Sequence, residues 1–208
     1  MVKIQSKVCN RANYGGKRTI APLYIVAHFT SNKGDTAKNN ADYFAREVVK
    51  ASAHFFADEK EIWNSVPEDH VAWHCGGSRY YHPECRNSNS IGVEICMNDK
   101  QGRVREKSIE HAAELIRELM KKYSIPAERV IRHYDVTHKN CPAPMVEDPA
   151  RWADFRKELN AMKDTPASWA KEAWEKASAA QVVDGSRPTE PVTRQELAVI
   201  LDRLKLIK

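Results

Sequence analysis

The sequence predicts an α/β domain with a mixed central β-sheet flanked by helices, plus a small C-terminal helical hairpin. Three observations carry that expectation. Continuous apolar runs at 23–29 and 91–97 read as strands buried on both faces. Segments of helical period lie between and after them, the interleaving expected of an α/β fold. At 208 residues the chain can fill one complete core and has about forty residues to spare.

After a polar start, the first apolar run is Leu23-Tyr24-Ile25-Val26-Ala27-His28-Phe29. A helix is expected over 36–52, where Ala37, Ala41, Phe44 and Val48 recur at helical steps and Thr36 can cap the N-terminus. Strands at 53–57 and 61–66 follow, joined by the polar turn Asp58-Glu59-Lys60, and another strand covers 91–97. The next helix has Ser108 as its cap, Glu110 near its positive end, and Ile109, Ala112, Ile116, Leu119 and Tyr123 on one face. Pro126 ends it, and Val130-Ile131-Arg132 forms a short strand that delivers His133. Pro149 suits the first turn of a helix whose apolar face is Trp152, Phe155, Leu159 and Met162. Near Met162-Lys163-Asp164-Thr165-Pro166 the pattern changes, giving a first domain over 1–162, a linker over 163–167 and a helical segment over 168–208. That segment reads as two short helices, the second opened by a Thr193-x-x-Glu196 capping box.

Chemistry concentrates in His133-Tyr134-Asp135-Val136-Thr137-His138-Lys139-Asn140-Cys141-Pro142, which puts an imidazole, an ammonium and a thiol in one loop. With His28, which comes at the end of the first apolar run, it suggests a zinc site of two histidines and one cysteine. Three protein ligands leave a coordination position open, the arrangement of a catalytic rather than a structural zinc, and so point to metal-assisted hydrolysis. The spacing matches neither a zinc-finger pair nor a helical HExxH motif. On the residues alone, His28 could equally be an ordinary polar side chain at a strand end. Glu94 lies inside an apolar run, where an ionised carboxylate is costly unless it is paired or used; strand alternation could also turn it to solvent.

The order H-x-D-x-x-x-K-x-C-P, an upstream apolar strand ending in histidine, and the segments Ala53-His54-Phe55-Phe56, Val71-Ala72-Trp73-His74-Cys75-Gly76 and Asn89-Ser90-Ile91-Gly92-Val93-Glu94-Ile95 together carry a resemblance over residues 1–162. The chain resembles the zinc N-acetylmuramoyl-L-alanine amidases related to phage T7 lysozyme and to peptidoglycan recognition proteins, in the branch of phage endolysins and prophage autolysins. The resemblance implies one Zn2+ per chain, held by His28, His133 and Cys141. It implies Glu94 as the general base and Lys139 as the charge that stabilises the oxyanion. His54, His74 and Trp73 are candidates to line the substrate groove, with a polar strand residue or a satisfied core histidine an equal alternative for the two histidines. The implied reaction is hydrolysis of the amide between N-acetylmuramic acid and the L-alanine of the stem peptide. The alternatives are a non-catalytic peptidoglycan-binding recognition protein and a cytosolic wall-recycling amidase. One departure stands out, since the T7-type tyrosine before the strand histidine is here Ala53.

The segment from Trp169 to Leu201 resembles a single surface-layer-homology repeat, which implies contact with a secondary cell-wall polymer; a hairpin that pairs copies of the chain into a homo-oligomer is the competing expectation. Net charge is +5, suiting an anionic wall polymer, and the absence of a Lys/Arg run interleaved with aromatics argues against nucleic acid. No apolar run reaches the length of a membrane span. Met1 to Asn10 lacks the apolar core of a secretory signal, so the expected route is cytoplasmic synthesis followed by release through a holin-type pore. The five cysteines, Cys9, Cys75, Cys85, Cys96 and Cys141, are an odd count suited to a reducing compartment. Cys75 and Cys85 could nonetheless meet across their short loop.

Overall fold

A computed structural model describes residues 3–160, 170–185 and 192–207. The chain forms two compact units, Met1–Asn160 and Ala161–Lys208. In the first, strands β1 (Ile4–Ser6), β3 (Tyr24–Phe29), β4 (Phe55–Ala57), β5 (Ile62–Asn64), β7 (Ser90–Ile95) and β8 (Val130–Arg132) build one sheet in the order β1-β5-β4-β7-β3-β8. The β4–β5 pair is antiparallel and the other pairs are parallel, so the sheet is mixed as expected. Strands β2 (Tyr14–Lys17) and β6 (His70–Ala72) form a separate antiparallel pair.

Side chains alternate across a strand, and here the two faces have different tasks. Ile25 of β3, Ile91, Val93 and Ile95 of β7, and Val130 of β8 join one buried cluster with Ile109, Ala112, Leu115, Ile116 and Leu119 of helix α2 (Glu106–Tyr123) and Phe155 and Leu159 of α5 (Pro149–Asn160). The intervening residues face the other way: Tyr24 and Val26 belong to a second cluster with Ile131, Val136, Cys75 and Cys85. Strands β3 and β7 run parallel with Tyr24 opposite Ser90, Val26 opposite Gly92 and His28 opposite Glu94. Every second residue on both strands therefore shares the face turned away from α2. Ala27 pairs with Arg132, which brings His133, the next residue, level with His28 at the carboxyl ends of three parallel strands. In α/β sheets that edge is where ligands are usually held.

Helix α1 (Ala37–Arg46) starts as expected, its N-terminus capped by Thr36 Oγ1, which accepts from the Asn39 N–H at 3.0 Å. Asp58 Oδ2 accepts from the Ala37 N–H at 2.8 Å, while its Oδ1 accepts from Lys60 and Glu61 in the β4–β5 turn. One carboxylate thus joins a helix start to a hairpin. The helix stops at Arg46 rather than reaching Ser52, and Val48 is exposed. The reason is Asn13, fully buried, whose amide nitrogen donates to the carbonyls of Phe44 and Glu47 and whose oxygen accepts from the N–H groups of Val49 and Lys50. The Glu47, Val49 and Lys50 groups are thereby satisfied in a non-helical segment beyond Arg46, so continuing the helix gains nothing.

Helix α2 begins at Glu106, two residues before Ser108, the expected cap, which is instead fully buried in its first turn. The start is fixed by Arg105, whose N–H donates to the Met97 carbonyl at 2.7 Å and whose guanidinium donates to the Asp35 carbonyl at 2.8 Å. Ser124 ends the helix in the left-handed region, two residues before Pro126. All five cysteines are free. Among the described residues no helix is long and apolar enough to cross a membrane.

The second unit contains α6 (Lys171–Ala179) and α7 (Arg194–Arg203). The capping box forms at the start of α7, with Thr193 Oγ1 accepting from the Glu196 N–H and the Glu196 carboxylate accepting from the Thr193 N–H. Met162, the 163–167 linker, Trp169 and 186–191 lie outside the described residues.

Asn13→Ala removes the side-chain partner of the Glu47 carbonyl and of the Val49 and Lys50 N–H groups, while the Phe44 carbonyl keeps the Asn10 N–H. It will lower the unfolding free energy by about 1–3 kcal/mol, the range for buried polar groups left unsatisfied, in urea denaturation. A loss under roughly 0.5 kcal/mol, the level of an ordinary surface change, would show that Asn13 does not set the end of α1.

Candidate metal centre

His28 ends its run of buried β3 side chains, 1% exposed. His133 opens the short helix α3 (His133–Thr137), 2% exposed. That helix is fixed by Asp135, whose carboxylate accepts from the Arg132 N–H at 2.8 Å and pairs with the Arg132 guanidinium at 2.8 Å. His138, left-handed at φ 61°, closes the turn, and the chain folds back so that the Cys141 carbonyl accepts from the Tyr134 N–H at 2.9 Å. Cys141, 3% exposed, is thereby returned to the side of the histidine eight residues before it.

The result is a three-donor group. One ligand atom from each of His28, His133 and Cys141 lies within 4.8 Å of the others, all buried. Cys141 Sγ is 3.7 Å from His28 Nδ1, and Glu94 Oε1 is 4.0 Å from the same nitrogen. Glu94 keeps 22% of its side chain exposed, yet its Oε2 is buried without a hydrogen-bond partner. Both ring nitrogens of His133 are likewise buried without one, the Gly76 backbone lying near but outside hydrogen-bonding geometry. Lys139 is itself exposed, but close enough for its charge to act on Glu94, His28, His133 and Cys141.

Burial dominates the electrostatics. It drives His133 down to about 4, with the Lys139 charge adding to the effect, and holds His28 well below its usual range, with His74 and His133 contributing. Both rings are therefore neutral at pH 7, the form that can donate a lone pair to a metal. Burial also raises Glu94 to about 7 against the opposing Lys139 charge, and pushes the Cys141 thiol up to about 12, with the Glu94 charge adding to the rise. Two neutral imidazoles, two of whose nitrogens lack partners, and a thiol that needs a cation to ionise form a donor set that fits Zn2+.

Two of the groove candidates, His54 and His74, are buried. His54 is fully buried: its Nδ1 accepts from the Gly92 N–H at 3.0 Å and its Nε2 lies 3.1 Å from the His70 carbonyl, beside the Arg18 guanidinium. Its ring ties β7 to β6 and has no exposed surface. His74 is 9% exposed and packs behind His28, its Nδ1 3.0 Å from His28 Nε2. Trp73 is partly exposed, with its indole nitrogen close to Gly15. The sequence reading passed over Ser90, whose hydroxyl contacts His74 Nε2 at 3.1 Å, and Arg18, which donates to the carbonyls of Glu68, Ser88 and His70. Ser90 stands inside a segment that carried the resemblance, but nothing local shows which side chain its hydroxyl meets.

Residues 18–144 match the protein family described as N-acetylmuramoyl-L-alanine amidase. The chain belongs to this amidase family. It is 36% identical over 148 residues to the N-acetylmuramoyl-L-alanine amidase CwlL of Bacillus licheniformis, an alignment covering 66% of this chain and 41% of CwlL. It is 35% identical over 162 residues to a probable N-acetylmuramoyl-L-alanine amidase of the same species, covering 74% of this chain and 45% of that protein. The chain thus spans less than half the length of these curated relatives. Among solved structures, the PlyG catalytic domain superposes with a TM-score of 0.65 at 32% identity, covering 80% of this chain and all of that domain.

His54→Ala will lower the unfolding free energy by about 1–3 kcal/mol, because it leaves the Gly92 N–H without its buried acceptor, while the His70 carbonyl keeps Arg18. Chemical denaturation checks this. Unchanged stability would return His54 to the groove.

Proposed function

We propose that the chain is a zinc-dependent peptidoglycan hydrolase that cleaves the amide between N-acetylmuramic acid and the L-alanine of the stem peptide, in the manner of an endolysin acting on the cell wall. The observation that carries this reading is the buried His28, His133 and Cys141 donor group with the Glu94 carboxylate beside it. Family membership and a Bacillus subtilis endolysin among its structural relatives support it.

His28, His133 and Cys141 would hold the ion, one per chain. When bound there, zinc polarises the scissile carbonyl and lowers the pKa of water toward about 7. Glu94 takes the proton of the attacking water and passes it to the leaving amine, a role matched by a carboxyl group that burial holds at about 7. Lys139 places a fixed positive charge where the oxyanion develops. Asp135 holds the first turn of α3, and so His133, through Arg132. With Ala53 where a tyrosine would stand in T7-type relatives, proton transfer rests on Glu94.

Residues from about 168 onward target or assemble the enzyme and supply no catalytic group. That segment has no histidine or cysteine, and its described part exposes Leu197, Val199, Leu204, Leu206 and Ile207. A secondary cell-wall polymer or a second copy of the chain would be its partner.

Cys141→Ser will bind less zinc and lose hydrolysis, whereas Glu94→Gln will keep fold and zinc but lose about 10²–10⁴-fold in turnover. Zinc content by mass spectrometry and release of L-alanine amino termini from purified wall, without new reducing sugar ends, are the measurements. Full zinc and activity in Cys141→Ser would refute the ligand set. Turnover of Glu94→Gln within about threefold of wild type, well below the usual acid–base contribution, would move the proton transfer elsewhere.

A chain ending at Lys163 will cleave small soluble muropeptides as the full chain does, while lysing whole cells less well or changing its oligomeric state. Loss of zinc or of folding on truncation would make the tail part of the catalytic core.

A further inference from the structure

Ser90, His74 and His28 form a hydrogen-bonded path that ends at the metal centre. Ser90 Oγ lies 2.7 Å from the Arg86 carbonyl, which can only accept, so the single hydroxyl proton points there. Toward His74 Nε2, 3.1 Å away, the Ser90 oxygen can then only accept, which places a proton on Nε2 and leaves His74 Nδ1 as a bare acceptor. His28 Nε2 lies 3.0 Å from that acceptor and must carry its own proton. The remaining His28 nitrogen, Nδ1, is left with a free lone pair, and it is the one facing Cys141 Sγ and Glu94.

The slot for this path is written into β7. A Cβ on Gly92 would come within 2.5 Å of His74 Cγ and 2.8 Å of its Nδ1. Only a residue without a side chain leaves room for the His74 ring at this point of the strand.

We propose that His74 is a positioning residue: with Ser90 it locks His28 in the Nε2–H tautomer and aims a bare Nδ1 at the metal. This rests on the reading of His28 as a metal ligand. Partners of this kind typically contribute 10–100-fold in metal affinity.

The test uses the full chain, ¹⁵N-labelled and stripped of metal, with long-range proton–nitrogen correlation of the imidazoles and zinc affinity by competition with a chelator. In the wild type the His28 proton should sit on Nε2. His74→Phe, which keeps a ring but offers no acceptor, should bind zinc about 10–100-fold more weakly and show a mixture of His28 tautomers. His74→Gln, whose carbonyl can accept from His28 while its amide donates to Ser90, should recover most of that loss. A proton on His28 Nδ1 in the wild type, wild-type affinity in His74→Phe, or a folded His74→Gln as weak as His74→Phe would overturn the proposal. Should His74→Phe fail to fold, the wild-type spectrum decides, and Ser90→Ala should give the tautomer mixture. A wild-type chain that binds no zinc would sink the metal-site reading itself, while equal binding by wild type and His74→Phe would sink only the relay.

Discussion

The in-phase parallel pairing of β3 with β7 is the constraint on which the rest of the structure depends. Because side chains alternate with period two, setting Ile25 against Ile91 puts one set of residues into the core beneath α2. The same register sets Val26, His28, Gly92 and Glu94 on the opposite face. A slip of one residue would bury Glu94 under the helix and turn Val93 toward the site. The fully buried Ile25, Ile91, Val93 and Ile95 oppose such a slip, each contributing about 1.5–3 kcal/mol by its removal from water. The hydrophobic core and the chemical site are therefore one decision about register.

Burial then gives the site its character. The same exclusion of water that keeps His28 and His133 neutral raises Glu94 and Cys141. A cation placed among these groups would reverse the last effect for the thiol. Lys139, from the exposed end of the loop, already supplies positive charge to the same cluster. The α3 turn that carries His133 is stiffened from outside by the Arg132–Asp135 pair and by the Arg132 contact to the Met145 carbonyl at 3.0 Å. The site's side chains are thus held by strand register on one side and a tied turn on the other.

Much of this was legible in the sequence, because strands buried on both faces announce themselves as apolar runs, and a polar residue inside or ending one is conspicuous. His28 and Glu94 stood out in that way. His133 and Cys141 stood out through the Pro-flanked polar loop, and the structure brings His28, His133 and Cys141 together. What escaped was set by distant partners. The end of α1 at Arg46 is decided by Asn13, which no local periodicity reports. For His54 and His74 the sequence left a groove lining and a satisfied core histidine equally open. Their burial follows from Gly92, which lends its N–H to one ring and its missing side chain to the other. The start of α2 moved from Ser108 to Glu106 because Arg105 is pinned to Met97 and Asp35.

In the proposed site this register and this loop bring two imidazoles and one thiolate onto a single metal ion. X-ray absorption at the zinc edge of the reconstituted full chain tests it most directly. One sulfur and two imidazole nitrogens are expected in the first coordination shell. A shell of nitrogen and oxygen without sulfur would contradict it.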